Sequence, residues 1–237
     1  MKNLIYALGA IFLMASCADK EPEGNLHISG NIDGLQSGTI YIQRIVDTSL
    51  VSLDTIRIDG DSHFESHLTI ESPEMLFLYL DRGPSNSLDD RLPFFAEPGK
   101  MTIETKLDKF YAAAQVTGSE NHKLYDEFRK GLARYNNERL ELTEARIRAQ
   151  KKNNTVRIDS INKAEQKLLS RKYLFATNFA INNRDREIAP YIAISEIYDI
   201  NFKYLDTIYK SMSPKVAESR YGKQLTEYYN DRKKAGL

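Results

Sequence analysis

Apolar and polar residues alternate from residue 26 onward, with Leu26, Ile28, Gly30 and Ile32 interleaved with His27, Ser29 and Asn31. Successive side chains of a strand point to opposite faces, so this spacing predicts a half-buried strand. Gly34, Ser37 and Gly38 supply a turn, and residues 39–44 repeat the pattern with Ile40 and Ile42 on one face. Residues 50–58 predict a third strand. Asp59-Gly60-Asp61 after it is a hairpin signal, because glycine accepts the positive φ such a turn needs. In residues 63–70, Phe64, Ser66, Leu68 and Ile70 share one face and His63, Glu65, His67 and Thr69 the other. Residues 75–80 are apolar without interruption, as expected of a strand covered on both faces. A polar loop is predicted over residues 82–90. Strands at 92–96 and 101–105 flank Glu97-Pro98-Gly99, and residues 112–117 close the region. Many short strands separated by turn signals predict an antiparallel β-sandwich or open barrel.

At Ser119 the period changes from two to helical. Ser119, followed by Glu120, Asn121 and His122, reads as an N-cap, and Leu124, Phe128, Leu132, Tyr135 and Leu142 then recur at helical spacing as far as Lys152. Asn153-Asn154 breaks the pattern. Thr155 can cap a second long helix whose face carries Ile158, Ile161, Leu168, Phe175 and Phe179, widened by Leu169, Tyr173, Ala176 and Ala180. Two amphipathic stretches with a short break predict an antiparallel helical hairpin with a solvated tip. Asn182-Asn183 ends it. Shorter helices are predicted over 189–198, after Asn201, after Ser213-Pro214 and over 219–229. The fold class is therefore α+β, an N-terminal β-rich unit at 25–118 followed by a helical region at 119–237.

The first 24 residues follow neither pattern. Lys2 precedes an uncharged apolar run from Leu4 to Ala15. That run is shorter than the ~20 residues needed to cross a bilayer core, and its layout is that of a secretory signal peptide at 1–16. Leu13-Met14-Ala15-Ser16-Cys17 resembles the lipobox of bacterial lipoproteins, with Met14 where leucine is more usual. The resemblance implies cleavage before Cys17 and lipid attachment to its sulfur, the palmitate-type anchoring of an envelope lipoprotein. Residues 17–24 would then form a lipidated tether. Its acidic residues Asp19, Glu21 and Glu23 resemble surface-export signals of some Gram-negative lipoproteins, which implies the outer membrane, at its periplasmic face or the cell surface.

Composition narrows the function classes. The chain has 237 residues, 33 basic and 33 acidic. Loss of residues 1–16 removes Lys2 alone and leaves a formal charge of −1, so no global electrostatic case exists for nucleic acid. Cys17 is the single cysteine. Once acylated it leaves no thiol for a disulfide or for redox chemistry.

Several short stretches resemble one family. Leu26-His27-Ile28-Ser29-Gly30-Asn31-Ile32, Gly38-Thr39-Ile40-Tyr41-Ile42, Asp54-Thr55, Asp59-Gly60 through Phe64, and Phe94-Phe95-Ala96-Glu97-Pro98-Gly99 look like the body of a domain of unknown function. Val116-Thr117-Gly118-Ser119-Glu120-Asn121 looks like its close. Ser66 stands where the family more often has a second aromatic. In Gram-negative envelope proteins this domain commonly precedes a TlpA-like thioredoxin domain. The helical part is similar to the linker found there, at Asn182-Asn183, Ala189-Pro190-Tyr191 and Ser219-Arg220-Tyr221-Gly222. No Cys-x-x-Cys occurs here, so the resemblance implies the envelope location and an accessory character without the reductase activity.

Candidate chemistry is sparse. His63, Glu65 and His67 stand at i, i+2 and i+4 and would project from one strand face, where they could ligate a metal for a hydrolase. The alternative is a solvated polar face. His122 reads as an exposed neighbour of a cap, and His27 as solitary on its strand. Asp47, Asp54, Asp59 and Asp61 lack calcium-loop spacing and read as turn formers. No Gly-x-Ser-x-Gly and no phosphate-binding glycine loop is present. Arg146, Arg148, Lys151, Lys152 and Arg157 cluster at the predicted hairpin tip, balanced by Glu138, Glu141 and Glu144. The expectation is a lipid-anchored, non-catalytic accessory or binding protein of the bacterial envelope. It needs no cofactor and has the membrane and an envelope protein as its partners. The alternatives are the metal-assisted hydrolase and a non-redox partner of a separate thioredoxin-like protein.

Overall fold

The computed structural model describes residues 24–83 and 88–236. The leader, Cys17 and residues 84–87 of the predicted loop lie outside this range. Eight strands come first: β1 (Leu26–Asp33), β2 (Ser37–Val46), β3 (Ser49–Asp59), β4 (His63–Leu68), β5 (Glu74–Asp81), β6 (Arg91–Ala96), β7 (Gly99–Lys106) and β8 (Gln115–Thr117). They form two four-stranded sheets, ordered β4-β1-β7-β8 and β3-β2-β5-β6, with no closed barrel. The alternation read from the sequence is the burial pattern. Leu26, Ile28 and Ile32 of the first sheet meet Ile40, Ile42, Leu76, Leu78 and Phe94 of the second in one core.

Two connections differ from the sequence expectation. The Asp59-Gly60-Asp61 turn forms, and Gly60 adopts a φ of 88°, but it closes no hairpin. β3 pairs with β2 while β4 pairs with β1, so the turn carries the chain from one sheet to the other. One pairing is also parallel, Leu26 to Asp33 against Gly99 to Lys106. The chain leaves β6 at the end of the sandwich where β1 begins, and the Gly99 amide donates to the Asn25 carbonyl at 2.7 Å. β7 thus starts beside β1 and runs with it.

Helices follow: α1 (Glu120–Lys151), α2 (Thr155–Asn182), α3 (Ile188–Ser195), α4 (Phe202–Ser211), α5 (Pro214–Ala217) and α6 (Arg220–Lys234). Ser119 caps α1 by accepting from the His122 amide, and Asn201, Ser213 and Ser219 cap α4, α5 and α6. Asn153 takes a positive φ of 50° between α1 and α2, and Asn154 rather than Thr155 caps α2. α1 is about 48 Å long. Its distal half is mostly exposed, and so is Leu169, which the sequence places on the packed face of α2. Arg146 and Arg148 of the basic tip pair with Glu165 and Glu144.

The uninterrupted run of β5 explains how the two halves meet. Leu76, Leu78 and Leu80 enter the sandwich core, while Met75 joins a second core built from the helices, against which Phe77 packs. β6 does the same with adjacent residues, Phe94 inward and Phe95 outward, both fully buried. The second sheet is therefore roofed by α1, α3 and α6 over part of its outer face.

Candidate functional site

Four of the stretches singled out in the sequence, 94–99, 116–121, 189–191 and 219–222, contribute to the seam between the second sheet and the helices. Phe95 of β6 meets the edges of Tyr191 on α3 and Tyr221 on α6, with ring centroids 5.5 and 5.8 Å apart. The Tyr221 hydroxyl accepts from the buried Met75 amide at 2.9 Å. Burial pushes the Tyr221 phenol up to about 12, so it remains protonated at neutral pH and keeps its own proton available as a donor. Gly222 packs against α5, where a Cβ would stand 1.9 Å from the Val216 carbonyl oxygen.

Asn121 is the polar centre of this seam. It is fully buried in the first turn of α1. Its amide nitrogen donates to Glu97 at 3.0 Å and to Glu187 at 2.9 Å, its backbone amide donates to Glu97 at 2.9 Å, and its carbonyl oxygen accepts from the Ile188 amide at 2.9 Å. One side chain thus ties the β6–β7 turn, α1 and the start of α3 together. Glu97 and Glu187 also line an open acidic cleft of about 700 Å³ with Glu71, Glu218 and Lys215.

A smaller cavity of about 420 Å³ lies on another side of the seam, bounded by Arg44, Glu74, Met75, Tyr191, Ile194 and Arg220 among others. Glu74 begins β5 and is 3% exposed. The Arg44 guanidinium donates to Glu74 Oε1 at 2.6 Å, while Glu74 Oε2 is buried without a hydrogen bond and has Arg220 at 3.7 Å. Arg220 is placed by the start of α6. Its backbone amide donates to Ser72 and its guanidinium to the Ile45 carbonyl at 3.1 Å.

The residues weighed for chemistry from sequence fall elsewhere. His63, Glu65 and His67 do lie on the outer face of β4, but they take separate neighbours. His63 Nδ1 bonds Asp61 at 2.7 Å, Glu65 stands 3.9 Å from His27, and His67 stacks on His27 with centroids 4.2 Å apart. His27 is therefore not solitary, because antiparallel pairing sets it opposite His67. Among the described residues no group of three or more His, Cys, Asp or Glu side chains is arranged to hold a metal ion. Asp47 takes a positive φ of 55° between β2 and β3, and Asp54 accepts from the buried Ser66 hydroxyl. The described ends of the 82–90 loop are tied down, since Arg82 pairs at 2.7 Å with the buried Asp90.

His122 corrects the sequence reading most sharply. It is 4% exposed, because the start of α1 docks on β6, and its Nδ1 accepts from the buried Phe95 amide at 3.1 Å. Burial lowers its pKa below the ordinary 6.5, against the opposing pull of Asp126. The unfolded chain therefore binds the proton more readily. The stabilisation is complete above pH 6.5 and is lost as the pH falls toward the folded-state value. Urea unfolding should show stability dropping from pH 7.5 to 5 by at most about 1.4 kcal/mol per unit from this group. His122→Asn, whose amide oxygen can still accept from Phe95, should flatten that slope. An unchanged slope in the variant would refute the assignment.

With this geometry in place, comparison by sequence finds one likeness, in the β-rich part of the chain. Residues 26–125 match the profile of a domain of unknown function, DUF4369. The match covers 100 of the 237 residues. The match runs past the last strand into α1, so the matched region includes Asn121, His122 and Tyr125 as well as both sheets. The seam is thus built from one edge of the matched region and the helices that follow it. No curated protein and no solved structure matches the chain.

Proposed function

We propose that this chain is a lipid-anchored accessory protein of the bacterial envelope, held at the outer membrane through Cys17 and acting by binding at its seam. The observation that carries the reading is the Leu13-Met14-Ala15-Ser16-Cys17 leader end followed by an acidic tether. Two acyl chains or more make attachment stable where one alone is marginal. No described helix is long and apolar enough to cross a membrane.

The path of the chain relates the anchor to the seam. The Asn25 side chain and the Ile70 backbone exchange two hydrogen bonds, of 2.7 and 2.9 Å, and Ser72 accepts from the Arg220 amide. The tether thus joins the fold beside the seam. Eight residues, 17–24, span at most about 28 Å, which limits how far the Asn25 end of the fold can stand from the bilayer.

Expression in a Gram-negative host with labelled palmitate tests the anchor. The wild-type chain should carry label and sediment with outer membranes, and Cys17→Ala should lose both. An unlabelled wild-type chain in the soluble periplasmic fraction would overturn the proposal.

A further inference from the structure

We infer that the cavity between β2, β5, α3 and α6 binds a small carboxylate with an apolar body, about the size of a hydrophobic dipeptide. The polar groups of the cavity are incompletely matched to one another. Two guanidinium groups, on Arg44 and Arg220, face the single buried carboxylate of Glu74. Arg44 takes that carboxylate through one nitrogen, and its Nε is buried with no hydrogen-bond partner. Arg220 stands 3.7 Å from Glu74, beyond hydrogen-bond reach, and uses its guanidinium on the Ile45 carbonyl alone. Its side chain is 30% exposed, so its remaining N–H groups can meet a ligand. A guanidinium presents paired donors that match a carboxylate fork.

The other lining residues set the rest of the ligand. Asp47 also borders the cavity, on the exposed turn between β2 and β3. With Glu74 it offsets both arginines in number, so a ligand of high negative charge is disfavoured, and a single carboxylate is held by the free Arg220 donors and not by a net positive charge. Met75, Phe77, Tyr191 and Ile194 give part of a mixed wall an apolar surface, beside Ser195 and Gln224. A volume of about 420 Å³ falls near the lower end of the ~300–1,000 Å³ typical of small-molecule sites. The Tyr221 hydroxyl at the cavity wall has a proton to donate, since its contact with Met75 is as an acceptor.

The inference rests on the seam being the binding surface. It is tested apart from the anchor, which the palmitate experiment reads in cells. The full mature chain carrying Cys17→Ser would be titrated calorimetrically with N-acetyl-leucyl-phenylalanine and with its C-terminal amide. The acid should bind at least tenfold tighter than the amide. Arg220→Gln should abolish that preference. Ile194→Trp, which fills the cavity and leaves both arginines in place, should remove binding of either ligand while the melting transition is retained. A wild-type chain that binds neither ligand, or binds both equally, overturns the inference. Retention of the acid preference in Arg220→Gln, or undiminished binding in Ile194→Trp, overturns it as well.

Discussion

Phe95→Ala is expected to destabilise the protein by about 3–5 kcal/mol, the usual cost of emptying a fully buried aromatic site. Phe95 has no exposed surface and holds the edges of Tyr191 and Tyr221. Its loss opens the seam from the sheet side, and the collapse of the helices into the gap is limited by their own packing. The adjacent Phe94→Ala is the control. Phe94 is equally buried but faces the sandwich core, so its loss should be of similar size without loosening the helices. Urea unfolding followed by tyrosine near-ultraviolet dichroism would separate the two, because Tyr191 and Tyr221 report on the seam. A loss below about 1 kcal/mol for Phe95→Ala would contradict the packing described.

Asn121→Asp carries the second large effect. The variant removes the amide donors that Glu97 and Glu187 share and sets a third carboxylate against them in a buried position. Leaving buried charge uncompensated costs about 3–5 kcal/mol. Adding Glu187→Gln should recover a substantial part of the loss, since the new amide can donate toward the introduced carboxylate from the opposite side. Guanidinium or urea unfolding at pH 7 checks both. A single mutant with near wild-type stability, or a double mutant no better than the single, would show that the bridge is not what holds α1 and α3 to the β6–β7 turn.

The local grammar of the chain is legible from its sequence. Alternation at residues 26–32 and 63–68, the caps at Ser119, Asn201 and Ser213, and the break at Asn153-Asn154 are short-range signals, each readable within a few residues. The apolar run at 75–80 even announces a strand covered on both faces. What covers it is not legible, because the pairing partners are far apart in sequence. Met75 meets Tyr221 across 146 positions and Asn121 meets Glu187 across 66. The burial of His122 escapes a sequence reading for the same reason, although the adjacent apolar pair Phe94-Phe95 is the available signal that β6 needs a second cover. The Asp59-Gly60 turn shows the limit of local reading. The glycine's φ follows from the sequence, but which sheet the next strand joins depends on β1, much earlier in the chain.

The seam exists only while the β-rich part and the helices are both in place, so the two should form one cooperative unit. Native-state hydrogen exchange on residues 24–237 measures this directly. The amides of Met75, Phe95 and Ile188, each bonded to a side chain across the seam, should exchange with the same opening free energy as the sandwich core at Ile28 and Leu78. Helices that open in a separate, lower-energy step while the strands stay protected would contradict the claim.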